Sequence, residues 1–469
     1  MNRQTLKTCT FVVLLLLCNI TRAENKLGSL IKDHMVLQRE ATINLWGWDN
    51  PGQKVKVITS WGEEKQTSTD NDGKWTIQIP TTTAGGPYQI EVKGSSNHHI
   101  DDVLLGDVWI CSGQSNMYMP IKGYSCQPVE NSNELILSAN NNKIRYYHIP
   151  VSLNTIPQDN IQGKWVVSSS QEAPEFSAIA YTFAREIQRN TGIPIGIIAT
   201  SKGASKIEAW MDPTALKEFS NISIPQTIPK KNGHKAPTLL FNTMIHPIVK
   251  FKAKGFLWYQ GEANTFEPDN YARLSRSMIG RWRQLWEDQD MPFYYVQIAP
   301  YSYKGRKAAV LREQQAKILD IVPNTGMAVT MDIGSHDCIH PQDKETVGKR
   351  LAYIALKKTY GYSSIICDAP MLEKADGLGT SSVKLYLKNI GNGLTGFDKR
   401  LLGFEVAGPD KKFHHAIAMI NRKDKTITVE CNKVISISSV RYGFRNYIPS
   451  TLYNSGGIPA SSFRTDNWK

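Results

Sequence analysis

The chain has 469 residues, of which 41% are hydrophobic and 21% charged, a globular composition that excludes a disordered or fibrous protein. Its formal charge is +13, and the lysines are dispersed, with no basic helix or RNA-binding signature, so no nucleic-acid partner is expected. A mild positive surface is compatible with acidic glycans as well as with simple solubility.

In chain order, Arg3 and Lys7 precede an apolar run from Thr8 to Cys18, followed by "NITRA". This reads as a secretory signal peptide, residues 1–23, cut after Ala23, and it predicts a periplasmic or secreted protein. About 11 apolar residues are too few to span a bilayer. A lipid anchor at Cys18 is the rival reading, disfavoured by the bulky Leu17 before it. No later run is long enough to span, so no membrane insertion is expected after the signal is removed. Five cysteines then remain, scattered and without a Cys-x-x-Cys pair, so no zinc ribbon or redox motif is expected.

Residues 24–103 alternate apolar and polar positions between turns such as "DNPGQ" and "DNDG", a small β-sandwich-like domain. From 104 to 365 the texture changes. The apolar runs "VWI", "PIGIIATS", "FKAKGFLWYQG", "PFYYVQIAP" and "TGMAVTMDIG" alternate with helical patterns. Those helices are "AIAYTFAREIQRNTG", "NYARLSRSMIGRWRQLWED" and "PQDKETVGKRLAYIALKKTYG". Strand and helix in this rhythm predict a parallel sheet covered by helices. From 366 to 469 the β texture returns, in "SSVKLYLKN", "LLGFEVAG" and "SVRYGF" among others, as a C-terminal β domain.

In open α/β sheets, ligands bind at the carboxyl ends of strands. Four polar clusters follow predicted strands. The first is Gly113-Gln114-Ser115-Asn116, where glycine permits a turn that lifts a serine from the sheet. It is not the Gly-x-Ser-x-Gly elbow, because Met117 occupies the second glycine's place. The second is "ATSKGASKIEAWM", with Gly203 as a backbone N–H donor. The third is "WYQGEAN", with Gln260, Glu262 and Asn264. Asn264 is a candidate oxyanion donor, and Glu262 a base, an acid or a structural carboxylate. The fourth is "DIGSHDCIHP", with His340 as candidate base and Asp337, three residues earlier, as its orienter. Asp332 is the fallback, with a structural role favoured. Metal binding by His336 and His340 is disfavoured, because Gly334 and Pro341 argue against one helix carrying both. Taken singly, each cluster reads as an ordinary turn. Together they make an acyl-transfer set of nucleophile, oxyanion donors, base and orienter.

The segments "DHMVLQR", "GDVWICSGQSNM", "IEAWM", "WYQGEAN", "IHPQDKETVGKRLA" and "LYNSGGIPASSFRTDNW" together resemble the sialate O-acetylesterase family of SGNH hydrolases. The resemblance implies a flavodoxin-like three-layer α/β/α core with accessory N- and C-terminal β domains. It implies carbohydrate O-deacetylation without cofactor or metal, with Ser115 as nucleophile and His340 as base. Ser115 N–H, Gly203 N–H and Asn264 would form the oxyanion hole, with Gln114, Asn116, Gln260 and Glu262 in support. Lys202 stands where relatives usually carry Trp, and Ala204 and Lys206 also depart from the pattern, which points to an altered substrate pocket. The implied partner is an O-acetylated carbohydrate, a sialate ester or an acetylated xylan or other plant glycan. A lipid or thioester hydrolase on the same core is the enzymatic rival, and a non-catalytic glycan-binding protein the rival of another class. The sequence assigns no oligomeric state and no disulfide.

Overall fold

The computed structural model of the chain describes residues 25–468, so the signal-peptide reading of residues 1–23 and the Cys18 alternative lie outside the described residues. The central sheet runs in the order Trp165–Ser168, Asn141–His148, Ile195–Ser201, Asn97–Gly113, Gly255–Tyr259, Phe293–Val296, Thr325–Ala328. Every neighbouring pair is parallel except the antiparallel edge strand Trp165–Ser168. Chain order is not sheet order. The connection after Ile195–Ser201 crosses beyond Asn97–Gly113 to place Gly255–Tyr259 on its other side. The carboxyl end of Asn97–Gly113 is therefore the switch point of the sheet, where open α/β folds place their ligands.

Parallel strands covered on both faces are continuous apolar runs. From Val103 to Gly113 every residue of the Asn97–Gly113 strand is buried, and so is every residue of Ile195–Ser201 and Gly255–Tyr259. Helices Ala178–Thr191 and Lys344–Lys358 pack together on one face, where Phe183 meets Trp109 edge-on. Helices Tyr271–Leu285 and Ala308–Ile321 cover the other, where Trp282 packs on Phe256 and Phe293. The result is a three-layer α/β/α core.

The Asn97–Gly113 strand has 17 residues. Its first part pairs with Gly85–Lys93 and Val36–Gln38 of the N-terminal β region, and its last part with the parallel sheet. The boundary expected at 103/104 thus falls inside one strand. The apolar side chains of both regions form a single core, from Leu30 and Val57 to Leu351. The C-terminal region has its own core, built on Val383, Leu385, Val406, Ile427 and Tyr442. It is riveted to the α/β core by buried Arg312, whose guanidinium donates to the Gly443 and Arg445 carbonyls and to Ser462 Oγ.

Candidate active site

The nucleophile turn begins with a steric demand. Gly113 sits at φ 137°, and a Cβ there would lie 2.2 Å from the Tyr259 carbonyl oxygen. Only glycine lets the two strand ends approach this closely while the chain turns. Gln114 N–H donates to the same carbonyl at 2.9 Å, and Ser115 opens the short helix Ser115–Tyr118. A Cβ on Gly203 would lie 3.5 Å from Ser115 Cβ, so the loop after Ile195–Ser201 faces the serine. The N–H groups of Ser115 and Gly203 donate to no protein acceptor among the described residues.

Ser115 Oγ lies 2.9 Å from His340 Nε2. His340 Nδ1 lies 2.6 Å from Gln127 Oε1, and the edge of the Tyr124 ring packs on the imidazole. Burial, reinforced by the nearby Lys344 ammonium, lowers the His340 pKa to about 4. The imidazole is therefore neutral at pH 7 and can accept the serine proton.

Asp337 is not the orienter of His340. Its carboxylate accepts from His336 Nδ1 at 2.6 Å, and its side chain is 90% exposed. Residues 335–340 run as bends without a helical turn, so the three-residue offset does not bring residues 337 and 340 to one side. Asp332 is not the orienter either. It takes two hydrogen bonds from Arg350, at 2.8 and 2.7 Å, which tie the strand end to helix Lys344–Lys358. The two imidazoles of the rival metal reading are likewise committed to different partners. We expect Asp337→Asn to leave kcat within about twofold and stability within about 0.5 kcal/mol of the parent, as for an exposed substitution. Esterase kinetics and thermal melting check this; a hundredfold fall in kcat would restore Asp337 to the mechanism.

Two carboxamides flank the serine and tie two loops and a helix start to it. Gln114 Oε1 accepts from Gln260 Nε2, Gly261 N and Ala263 N at 3.2–3.4 Å. Asn116 Nδ2 donates to Glu262 Oε1 at 2.5 Å and to the Ile339 carbonyl at 3.2 Å, beside His340. Asn116 Oδ1 accepts from Lys344 Nζ at 2.6 Å. Glu262 and Lys344 are both buried, and Asn116 bridges them. Burial raises the Glu262 pKa and lowers that of Lys344 to about 7, each charge opposing the shift of the other. Among the described residues Glu262 bonds neither Ser115 nor His340; its Oε1 accepts from Asn116, and its Oε2 is buried without a protein partner.

Asn264 is held on three sides. Its Oδ1 accepts from Gln260 Nε2 at 2.8 Å and Ile207 N at 3.1 Å, while its Nδ2 donates to Glu208 Oε2 at 3.0 Å. That leaves one side-chain N–H without a protein acceptor among the described residues. Gln260 Nε2 also donates to the Ser205 carbonyl, linking the Gly203 loop to the Asn264 loop. Gln127, Tyr124, Glu208 and Lys344 carry no motif that marks them in the sequence. Glu208 lies within "SKIEAWM", and Lys344 in a helix start where lysine ordinarily reads as solvated.

The serine opens into a cavity of about 700 Å³. Tyr118, Tyr124, Phe266 and Ile339 supply apolar wall, and Lys202, Lys206, Lys235 and Arg306 supply positive charge. The Arg306 guanidinium stacks over the Phe266 ring at 4.3 Å and donates to the Glu262 carbonyl at 3.3 Å. The walls thus combine aromatic faces with positive charge, at a volume typical of a small-molecule site.

The family model "Carbohydrate esterase, sialic acid-specific acetylesterase" matches residues 105–357. Human sialate O-acetylesterase is 30% identical over 396 residues, covering 75% of this chain and 74% of that protein. The mouse protein of the same name is 28% identical over 441 residues, covering 79% and 81% respectively. The crystal structure of a carbohydrate acetylesterase from Xanthomonas citri superposes with a TM-score of 0.86 at 35% identity, covering 95% of this chain and all of that one. This is a carboxylic ester hydrolase, and the chain belongs to the sialate O-acetylesterase family of carbohydrate esterases.

Proposed function

We propose that the chain removes O-acetyl groups from acidic sugars, sialate esters foremost, through an acetyl-enzyme on Ser115. The observation that carries this is the 2.9 Å approach of Ser115 Oγ to a neutral imidazole at the mouth of a cationic cavity. His340 Nε2 takes the hydroxyl proton as Ser115 Oγ bonds the acetyl carbon. The carbonyl oxygen becomes an oxyanion, for which the free N–H groups of Ser115, Gly203 and Asn264 are the available donors. Collapse of the tetrahedral intermediate breaks the bond to the sugar oxygen, which takes the proton from His340. Water then repeats the sequence, with His340 again as base, and releases acetate. The reading places the enzyme in the periplasm or outside the cell, on the strength of residues 1–23.

Acetylated xylan or another plant glycan is the neutral alternative. Four cationic side chains on the cavity wall favour an anion, because a charge-assisted hydrogen bond contributes about 1.5–3 kcal/mol. A Lys202→Ala/Lys206→Ala double variant should lose roughly tenfold or more in kcat/KM on O-acetylated sialic acid, about 1.4 kcal/mol. On acetylated xylo-oligosaccharides it should keep its activity. Equal losses on both substrates, or a wild-type chain that deacetylates only the xylo-oligosaccharide, would remove the acidic-sugar assignment.

A further inference from the structure

We infer that Gln127 is the residue that orients His340, so that this active site works with an uncharged amide where serine hydrolases commonly hold a carboxylate. The inference rests on the Ser115–His340 reading above. For His340 to act as base, Nε2 must be bare and Nδ1 must carry the proton. Nδ1–H then needs an acceptor, and Gln127 Oε1, at 2.6 Å, is the partner that the described residues offer. Asp337 and Asp332 are occupied by His336 and Arg350. The amide is carried by a tight loop. Tyr124 and Gln127 exchange backbone hydrogen bonds at 2.9 and 3.0 Å, with left-handed conformations at Gly123 and Cys126 between sharp turns. The same loop sets the Tyr124 ring against the imidazole and its hydroxyl on the Ser115 carbonyl at 2.9 Å.

An amide differs from a carboxylate in two ways. It has one accepting and one donating face, and only the accepting face favours the productive tautomer. It also carries no charge, so it stabilises the imidazolium that forms as the serine proton is taken only through its hydrogen bond, without the ion pair a carboxylate would add. The groups that do bear on the ring are the Lys344 ammonium, which opposes its charging, and the neutral Tyr124 and Ser115. The Cys338 thiol engages the His340 backbone carbonyl rather than the ring, and the buried Glu262 carboxylate, engaged by Asn116 through Oε1 alone, makes no hydrogen bond to the ring. The consequence is an esterase whose base stays neutral, and whose activity persists, well into acid.

The test is a pair of variants followed across pH. Gln127→Ala should lower kcat by roughly tenfold or more with little change in KM, since it disorders the base and not the sugar pocket. Gln127→Glu has no wrong face and supplies a negative charge in contact with the ring. It should keep at least wild-type kcat near neutral pH and move the acid limb of kcat/KM upward by about one to three pH units. A merely structural role would not move that limb. An unmoved limb in active Gln127→Glu, or a Gln127→Ala with wild-type kcat, overturns the inference. Ser115→Ala, run in parallel, separates the two levels. If it keeps its activity, the Ser115–His340 reading falls and Gln127 with it; if it is dead while Gln127→Ala is unaffected, Gln127 alone falls.

Discussion

Ser115→Ala stops acetate release while the protein melts where the parent does. The expected loss in kcat is roughly 10⁴- to 10⁶-fold, the range seen when a serine nucleophile is removed from an intact site. The fold should not suffer. Among the described residues the Ser115 hydroxyl bonds only His340 Nε2, whereas the turn is held by Gly113, by Gln114 on the Tyr259 carbonyl, and by Asn116 on Glu262 and Lys344. Stability should therefore change by less than about 0.5 kcal/mol. Kinetics on an acetylated sugar and a thermal melt decide it, and a folded variant that still turns over would remove Ser115 from the chemistry.

Asn264→Ala should lower kcat by roughly 100- to 1,000-fold, the loss typical of one oxyanion donor. Here stability should fall as well. The truncation strips acceptors from Gln260 Nε2 and Ile207 N and the donor from Glu208, and an unsatisfied buried group costs about 1–3 kcal/mol. Both effects are separable. Transition-state loss appears in kcat with KM nearly unchanged, and structural loss in the melting temperature. A variant that melts early yet keeps wild-type kcat would make Asn264 a brace only.

Much of the fold was legible because burial on both faces writes a strand as an uninterrupted apolar run. "VWICSG", "PIGIIATS" and "GFLWY" show it in the sequence and in the sheet. Elements with charge facing inward were not. Strand Asn141–His148 turns Arg145 inward, where it is only 3% exposed and pairs with Asp102. Helix Ala308–Ile321 turns Arg312 and Gln315 toward the core, where they satisfy backbone groups of other elements, so its apolar stripe is broken.

The site divides along the same line. Ser115, Gly203 and Asn264 each follow a readable strand, which makes them candidates as nucleophile and oxyanion donors, and the family resemblance implies the same roles. Gln127 lies 213 residues from His340, in an irregular loop with no period and no motif. Asp337 looked better on paper because proximity in sequence substitutes for proximity in space only where the chain forms a regular turn, and residues 335–340 do not. Lys344 was hidden for a different reason. A lysine at a helix start is usually solvated, and this one is buried only because Asn116 and Glu262 wait inside for it.

A nucleophilic Ser115 makes the reaction covalent, with the acetyl group held on its oxygen between two half-reactions. Wild-type enzyme should be mixed with an O-acetylated sugar, quenched in acid within the first turnover, digested, and its peptides weighed. One added acetyl group is expected on the peptide that contains Ser115, at Ser115 by fragmentation, and it should disappear as free acetate accumulates. Acetate released in full while that peptide is never acetylated, at any quench time or with Gln127→Ala to slow the reaction, would contradict the covalent route and point to direct attack by water.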